Sequence, residues 1–160
     1  MKVLLMSADK GNNEFLYRVY ASTREEELKP AGWNPEQLEA FLRMQFSAQD
    51  KHYRAHYPGA EFLIILDGDV PAGRLYLYRH PKELRIMDIA LLPEHRRKGI
   101  GTFLLRNLLQ EAKETGQTVT IHVEKENPAL SLYHSLGFQV EEDRGVYFFM
   151  KCVSGGTSEL

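Results

Sequence analysis

The 160-residue chain has a single cysteine, Cys152, and a single tryptophan, Trp33. A lone thiol excludes an internal disulfide framework and any zinc site built on cysteine. Long apolar runs are missing as well. No stretch approaches the roughly 18 consecutive apolar residues of a membrane-spanning helix, and the apolar part of the opening MKVLLMSADKG is too short for a secretory signal. Charge of one sign is lacking too. The formal net charge is −2, and each half of the chain carries ten Lys/Arg against eleven Asp/Glu. That balance has neither the basic stripe of a nucleic-acid binder nor an acidic tail. Cytoplasm, with no nucleic-acid or membrane partner, is the expectation.

What is present fits a globular chain: 43% hydrophobic and 26% charged residues, in a length that supports one sizeable core. We expect one domain over residues 1–152 and a flexible tail over 153–160. Strand patterns fall at Lys2 to Met6, Glu61 to Leu66, Ala72 to Tyr78, Leu84 to Leu92 and Val119 to Val123. A last hairpin pairs Phe138 to Val140 with Val146 to Lys151. Helical spacing marks Asn13 to Leu28 and Gly99 to Thr115. Asn34-Pro35 and Asn127-Pro128 each place an N-cap before a proline at the first helical position, and so predict two more helices. The order is that of an α/β fold with a mixed sheet.

The densest positive patch, His95 to Lys98, runs straight into Gly99-Ile100-Gly101 and an apolar helix. Glycines admit positive φ and let a ligand approach without a Cβ in the way. Unpaired N–H groups and the positive dipole end then make the helix head an anion site. A glycine-softened helix start with solvated basic residues is the plainer reading. A P-loop needs G-x-x-x-x-G-K-[ST], which is absent; a dinucleotide turn needs a third small residue, where Leu104 stands.

Arg96-Arg97-Lys98-Gly99-Ile100-Gly101 resembles the R/Q-x-x-G-x-G/A signature of the GNAT superfamily of acetyl-CoA-dependent acetyltransferases. Ile89 to Glu94 looks like that family's strand and proline turn. Asn127 to Leu130 and Leu132-Tyr133-His134-Ser135-Leu136-Gly137-Phe138 look like its later element, about 26 residues downstream. The resemblance implies a central mixed, twisted sheet of about seven strands, splayed at the cofactor site and flanked by about four helices. It implies transfer of the acetyl group of acetyl-CoA, without metal, to a primary amine by direct attack through a tetrahedral intermediate.

By the same resemblance, backbone N–H groups from Arg97 through Lys98, Gly99, Ile100 and Gly101 to Thr102 cradle the pyrophosphate. Arg96 belongs to the same motif, and the charges of Arg97 and Lys98 either assist or are simply solvated. Ile89, Ala90 and Leu91 meet the pantetheine arm through their backbone, with an N–H near Leu91 as oxyanion donor. Asn127 either contacts coenzyme A or only caps its helix. Tyr133 stands where the family places its acid, or else is a buried aromatic. A lysine-like amine has a pKa of about 10.4 and must lose a proton. His122 is the first candidate base and Asp88 the second; a structural histidine with a water relay, and an orienting carboxylate, are their alternatives.

The resemblance places the acceptor opposite coenzyme A, against the first two helices, their loop and the final hairpin, with Tyr17, Arg18, Tyr20, Trp33, Tyr76 and Tyr78 as candidates beside plain core or surface roles. Arg24-Glu25-Glu26-Glu27 reads as a solvated face, and the His52/His56 pair lacks a third ligand. The acceptor's identity, small-molecule or peptide amine, stays open. Family analogy suggests a homodimer through the C-terminal strands. A non-catalytic acyl-CoA-binding module is the alternative to an enzyme.

Overall fold

Short turn signals between apolar runs become the seams of one seven-stranded sheet in the computed structural model, which describes residues 2–153 apart from the side chain of Glu26. The elements are β1 (Val3–Ser7), α1 (Asn13–Leu28), α2 (Pro35–His56), β2 (Glu61–Asp67), β3 (Val70–His80), β4 (Glu83–Leu91), α3 (Ile100–Thr115), β5 (Thr118–Glu124), α4 (Leu130–Ser135), β6 (Gln139–Asp143) and β7 (Tyr147–Val153). Spatial order is β1-β2-β3-β4-β5-β7-β6, with β4 and β5 parallel and every other pair antiparallel.

Alternation along the strands divides the core into two layers. On one face Leu75, Leu77, Leu84, Ile86, Val119 and Ile121 meet the stripe of α3, where Ile100, Leu104, Leu105, Leu108 and Ala112 recur at helical spacing. On the other face α1 and α2 cover Ile64 and Tyr76, with Leu16 fully buried between. Asn34 caps α2 as its place before Pro35 predicts, accepting the Glu36 N–H at 2.8 Å.

Three expectations shift. The second Asn-Pro does not open a helix: Asn127 Oδ1 accepts the Ala129 N–H at 2.8 Å and its carbonyl accepts that of Leu130 at 3.0 Å. Those bonds close a separate turn, and α4 starts only at Leu130. Phe138 stays out of β6 because it is drawn under Tyr133, donating its N–H to the Tyr133 carbonyl at 3.0 Å. Val153, expected in the tail, pairs with Thr118 at the end of β7; the rest of the expected tail, 154–160, lies outside the described residues.

One irregularity positions everything that follows. Tyr76 stands opposite Asp88 but Leu77 opposite Ile86, so Met87 is an extra residue in β4. Such a bulge bends its strand. β4 and β5 pair only from Glu83–Thr118 to Ile86–Ile121, whereas β5 stays on β7 up to Glu124. Beyond Ile86 and Ile121 the two parallel strands part, and the sheet is forked.

Candidate active site

The wide end of the fork leads to the head of α3. Arg97 takes φ 62° and Gly99 φ 84°, two left-handed residues either side of Lys98. Left-handed backbone costs a non-glycine residue on the order of 1 kcal/mol or more, so Arg97 is held there by its surroundings. The result is a concave row of amides. Among the described residues no acceptor meets the N–H groups of Arg97 through Thr102; the first amide satisfied is that of Phe103, on the Gly99 carbonyl at 3.0 Å. A Cβ placed on Gly101 would meet nothing within 4 Å. The protein itself therefore leaves room that a side chain would fill. Arg96 turns away from this row, donating from Nε to the Leu91 carbonyl at 2.9 Å, which ties the turn to the end of β4. Arg97 and Lys98 are exposed, and buried Ile100 anchors the helix head.

Inside the fork, backbone direction follows from one bond. Leu92 donates its N–H to the Ala72 carbonyl at 2.8 Å, so by strand alternation the N–H and C=O of Leu91 and Ile89 face away from β3 and into the fork, while Ala90 bonds toward β3. β3 approaches closely here. A Cβ on Gly73 would collide with the Ala90 carbonyl oxygen.

Tyr133, on α4, is 4% exposed, edge-on to Phe138 at 5.8 Å between centroids. Its hydroxyl has no hydrogen-bond partner among the described residues. Burial, with the charge of Asp88 adding, pushes its pKa up to about 12. Asp88 itself is committed to a buried cation: Arg74 Nε lies 2.5 Å from its Oδ2, and Arg74 also donates to Gln49 Oε1 at 2.9 Å. Burial works against the Arg74 charge, but Asp88 and its neighbours outweigh it and raise its pKa.

His122 sits on β5, one residue past the last β4–β5 pair. Its Nε2 is 2.8 Å from Arg144 Nη1. Arginine can only donate, so Nε2 accepts and the neutral ring carries its proton on Nδ1. Burial first, then Arg144 and Arg85, lower its pKa. Tyr147 stands edge-on to the ring at 5.8 Å. A cleft of about 370 Å³ opens at this point, lined by Tyr53, Tyr57, Arg85, Met87, His122 and Tyr147. Two of its lining residues, Met87 and His122, each stand one residue past the last β4–β5 pair, where the fork begins.

Residues 16–138 match the model of the acetyltransferase (GNAT) family. The chain belongs to that family. Among relatives, the N-alpha-acetyltransferase of Sulfurisphaera tokodaii is 36% identical over 97 residues, 52% of this chain and 58% of that protein. The [ribosomal protein bS18]-alanine N-acetyltransferase of Haemophilus influenzae is 36% identical over 67 residues, 41% of this chain and 46% of that one. The human cysteine-rich protein 2-binding protein is 48% identical over 60 residues, 38% of this chain but 7% of its own length. The matched segments thus span less than two thirds of these curated relatives. The PaiA N-acetyltransferase of Thermoplasma acidophilum, solved in complex with coenzyme A, superimposes with a TM-score of 0.72 at 21% identity, over 96% of this chain and 99% of that one.

On this GNAT fold, with its seven-stranded mixed sheet and four α-helices, the structure brings Ile89, Leu91, the 97–102 amides, Asp88 and Tyr133 around one fork. Asn127 commits its Oδ1 to its turn, and its side-chain NH2 has no partner among the described residues. Of the acceptor candidates, Tyr20 and Tyr76 are buried in core, Trp33 stacks on Phe41 at 4.9 Å, and Tyr78 packs against Tyr57. Tyr17 and Arg18 line a separate cleft of about 330 Å³ with Glu14, Glu25 and Arg43, reaching Leu92. Sequence reasoning missed Tyr53, Tyr57, Arg85 and Tyr147. The i, i+4 spacing of Tyr53 and Tyr57 was a usable signal of a shared helix face; the final hairpin was expected at the acceptor through the family resemblance, but its residue Tyr147 was not singled out.

Proposed function

We propose that this chain is an N-acetyltransferase that takes acetyl-CoA as co-substrate and a primary amine as acceptor. The observation that carries the reading is the row of six amides without acceptors among the described residues at the head of α3, next to a fork where β4 loses β5 as a partner beyond Ile86. The site fits the group: the amides of Arg97 to Thr102 suit a pyrophosphate, the space at Gly101 admits its close approach, and Ile89 and Leu91 offer main-chain groups to an extended arm. Bound there, acetyl-CoA supplies an acetyl group activated as a thioester.

The chain's own residues divide the remaining work. Tyr133 keeps its proton throughout the neutral range because its pKa lies near 12, which suits a donor to a departing thiolate. The Ile89 and Leu91 N–H groups serve as donors to developing negative charge. Asp88 acts as a positioning residue through Arg74. His122 forms a wall of the acceptor cleft and presents an N–H to it; with its lone pair held by Arg144, the amine's proton leaves through water at the cleft mouth.

Calorimetric titration with coenzyme A, followed by thiol release from acetyl-CoA across a broad amine panel, tests this. Saturable binding and amine-dependent release are expected. Absence of coenzyme A binding contradicts the whole reading, and binding without release to any amine favours a non-catalytic acyl-CoA-binding module.

A further inference from the structure

The cleft at the fork constrains what carries the amine. Tyr53, in the last turn of α2, and Tyr57, the residue that follows the helix, have rings 6.3 Å apart, and Tyr147 lines the same cleft from β7 beside His122. Gln49 and His52 complete the lining, and among the described residues no carboxylate contributes to it. A polyamine would therefore bring a second ammonium with nothing of opposite charge to meet it. Arg85 supplies the cleft's one fixed charge. Its Nε donates to Glu83 at 3.0 Å, its Nη2 lies 3.0 Å from the same carboxylate, and its Nη1 donates to the Tyr57 hydroxyl at 3.3 Å. Of a guanidinium's five N–H donors, two are left over. Arg85 and Met87 are two apart on β4 and share a face, about 7 Å from each other. A cleft of about 370 Å³ lies near the small end of ligand sites.

Resting on the transferase reading above, we infer that the acceptor is a small aromatic α-amino acid. Its ring lies among Tyr53, Tyr57 and Tyr147, its carboxylate on the spare N–H groups of Arg85, and its amine at Met87 and His122. Amine and carboxylate on one carbon match the short span between Arg85 and the bulge.

Initial rates of thiol release with L-phenylalanine, phenethylamine, L-alanine, spermidine and a short peptide test the inference. The expected kcat/KM for phenylalanine exceeds each of the others by at least about tenfold, because phenethylamine lacks the carboxylate and alanine the ring. Arg85→Gln should cost phenylalanine about tenfold, through KM, and leave phenethylamine within about twofold. Equal or faster turnover of alanine, phenethylamine, spermidine or the peptide overturns it, as does an Arg85→Gln loss shared equally by phenethylamine. Turnover of none of them, with coenzyme A still bound, sinks the transferase reading instead.

Discussion

Tyr133 and His122 show how surroundings decide the role of a titratable side chain. Tyr133 is almost sealed, without a hydrogen-bond partner among the described residues, and held protonated by burial. Removing its hydroxyl in Tyr133→Phe should lower kcat at least about tenfold while the affinity for coenzyme A, measured by calorimetry, stays within about twofold. An unchanged kcat would return Tyr133 to the role of core aromatic. His122 has its lone pair on Arg144, so His122→Gln should cost kcat less than about threefold, as a wall rather than a base. Its lowered pKa also sets a stability window. The unfolded chain takes up the His122 proton near the ordinary imidazole value of about 6.5, before the folded chain does. Between that value and the lower folded one the unfolded state binds more protons, so stability falls as pH falls through the window. Calorimetric Tm should thus drop from pH 7 to pH 5.5 in the native chain and drop less in His122→Gln; equal slopes would contradict the assignment.

At the scale of elements, the head of α3 carries a conflict between stability and binding. Gly101 is the second residue of α3, where alanine is better by up to about 1 kcal/mol, and no neighbour forbids a Cβ. Gly101→Ala should therefore raise Tm while weakening coenzyme A binding at least about tenfold. A stabilised variant that binds as before would show that nothing approaches this backbone. The turn at 96–102 was legible in the sequence because its basic and glycine residues are contiguous. So was α2, whose Asn34 cap acts locally. The same dipeptide grammar misled at Asn127, where the side chain closes a turn one step before the helix. The fork was not derivable from residues 84–92 alone. Met87 becomes a bulge only through the register that β3 imposes, and its place in the sheet came through family resemblance. The acceptor cleft draws on α2, β4, β5 and β7 together, so no local pattern announces it.

Across the whole molecule, Arg74 joins the layers. From β3 it reaches Asp88 on β4 and Gln49 on α2, and its guanidinium lies over Tyr76 at 4.6 Å and Tyr20 at 5.6 Å. Arg74→Met leaves Asp88 without its cation and should cost about 2–4 kcal/mol in chemical denaturation. Adding Asp88→Asn should recover part of that loss, since the two act as one unit; additive losses would deny the coupling. The fork itself is a property of the whole sheet, and the amides at its mouth are where the account is most exposed. Amide chemical shifts of nitrogen-15-labelled protein, followed during titration with coenzyme A, test it most directly. Saturable shifts concentrated at residues 97–102 and at Ile89 and Leu91 are the expected result. A titration that saturates with those amides unmoved, or moves amides elsewhere in their place, would contradict the account.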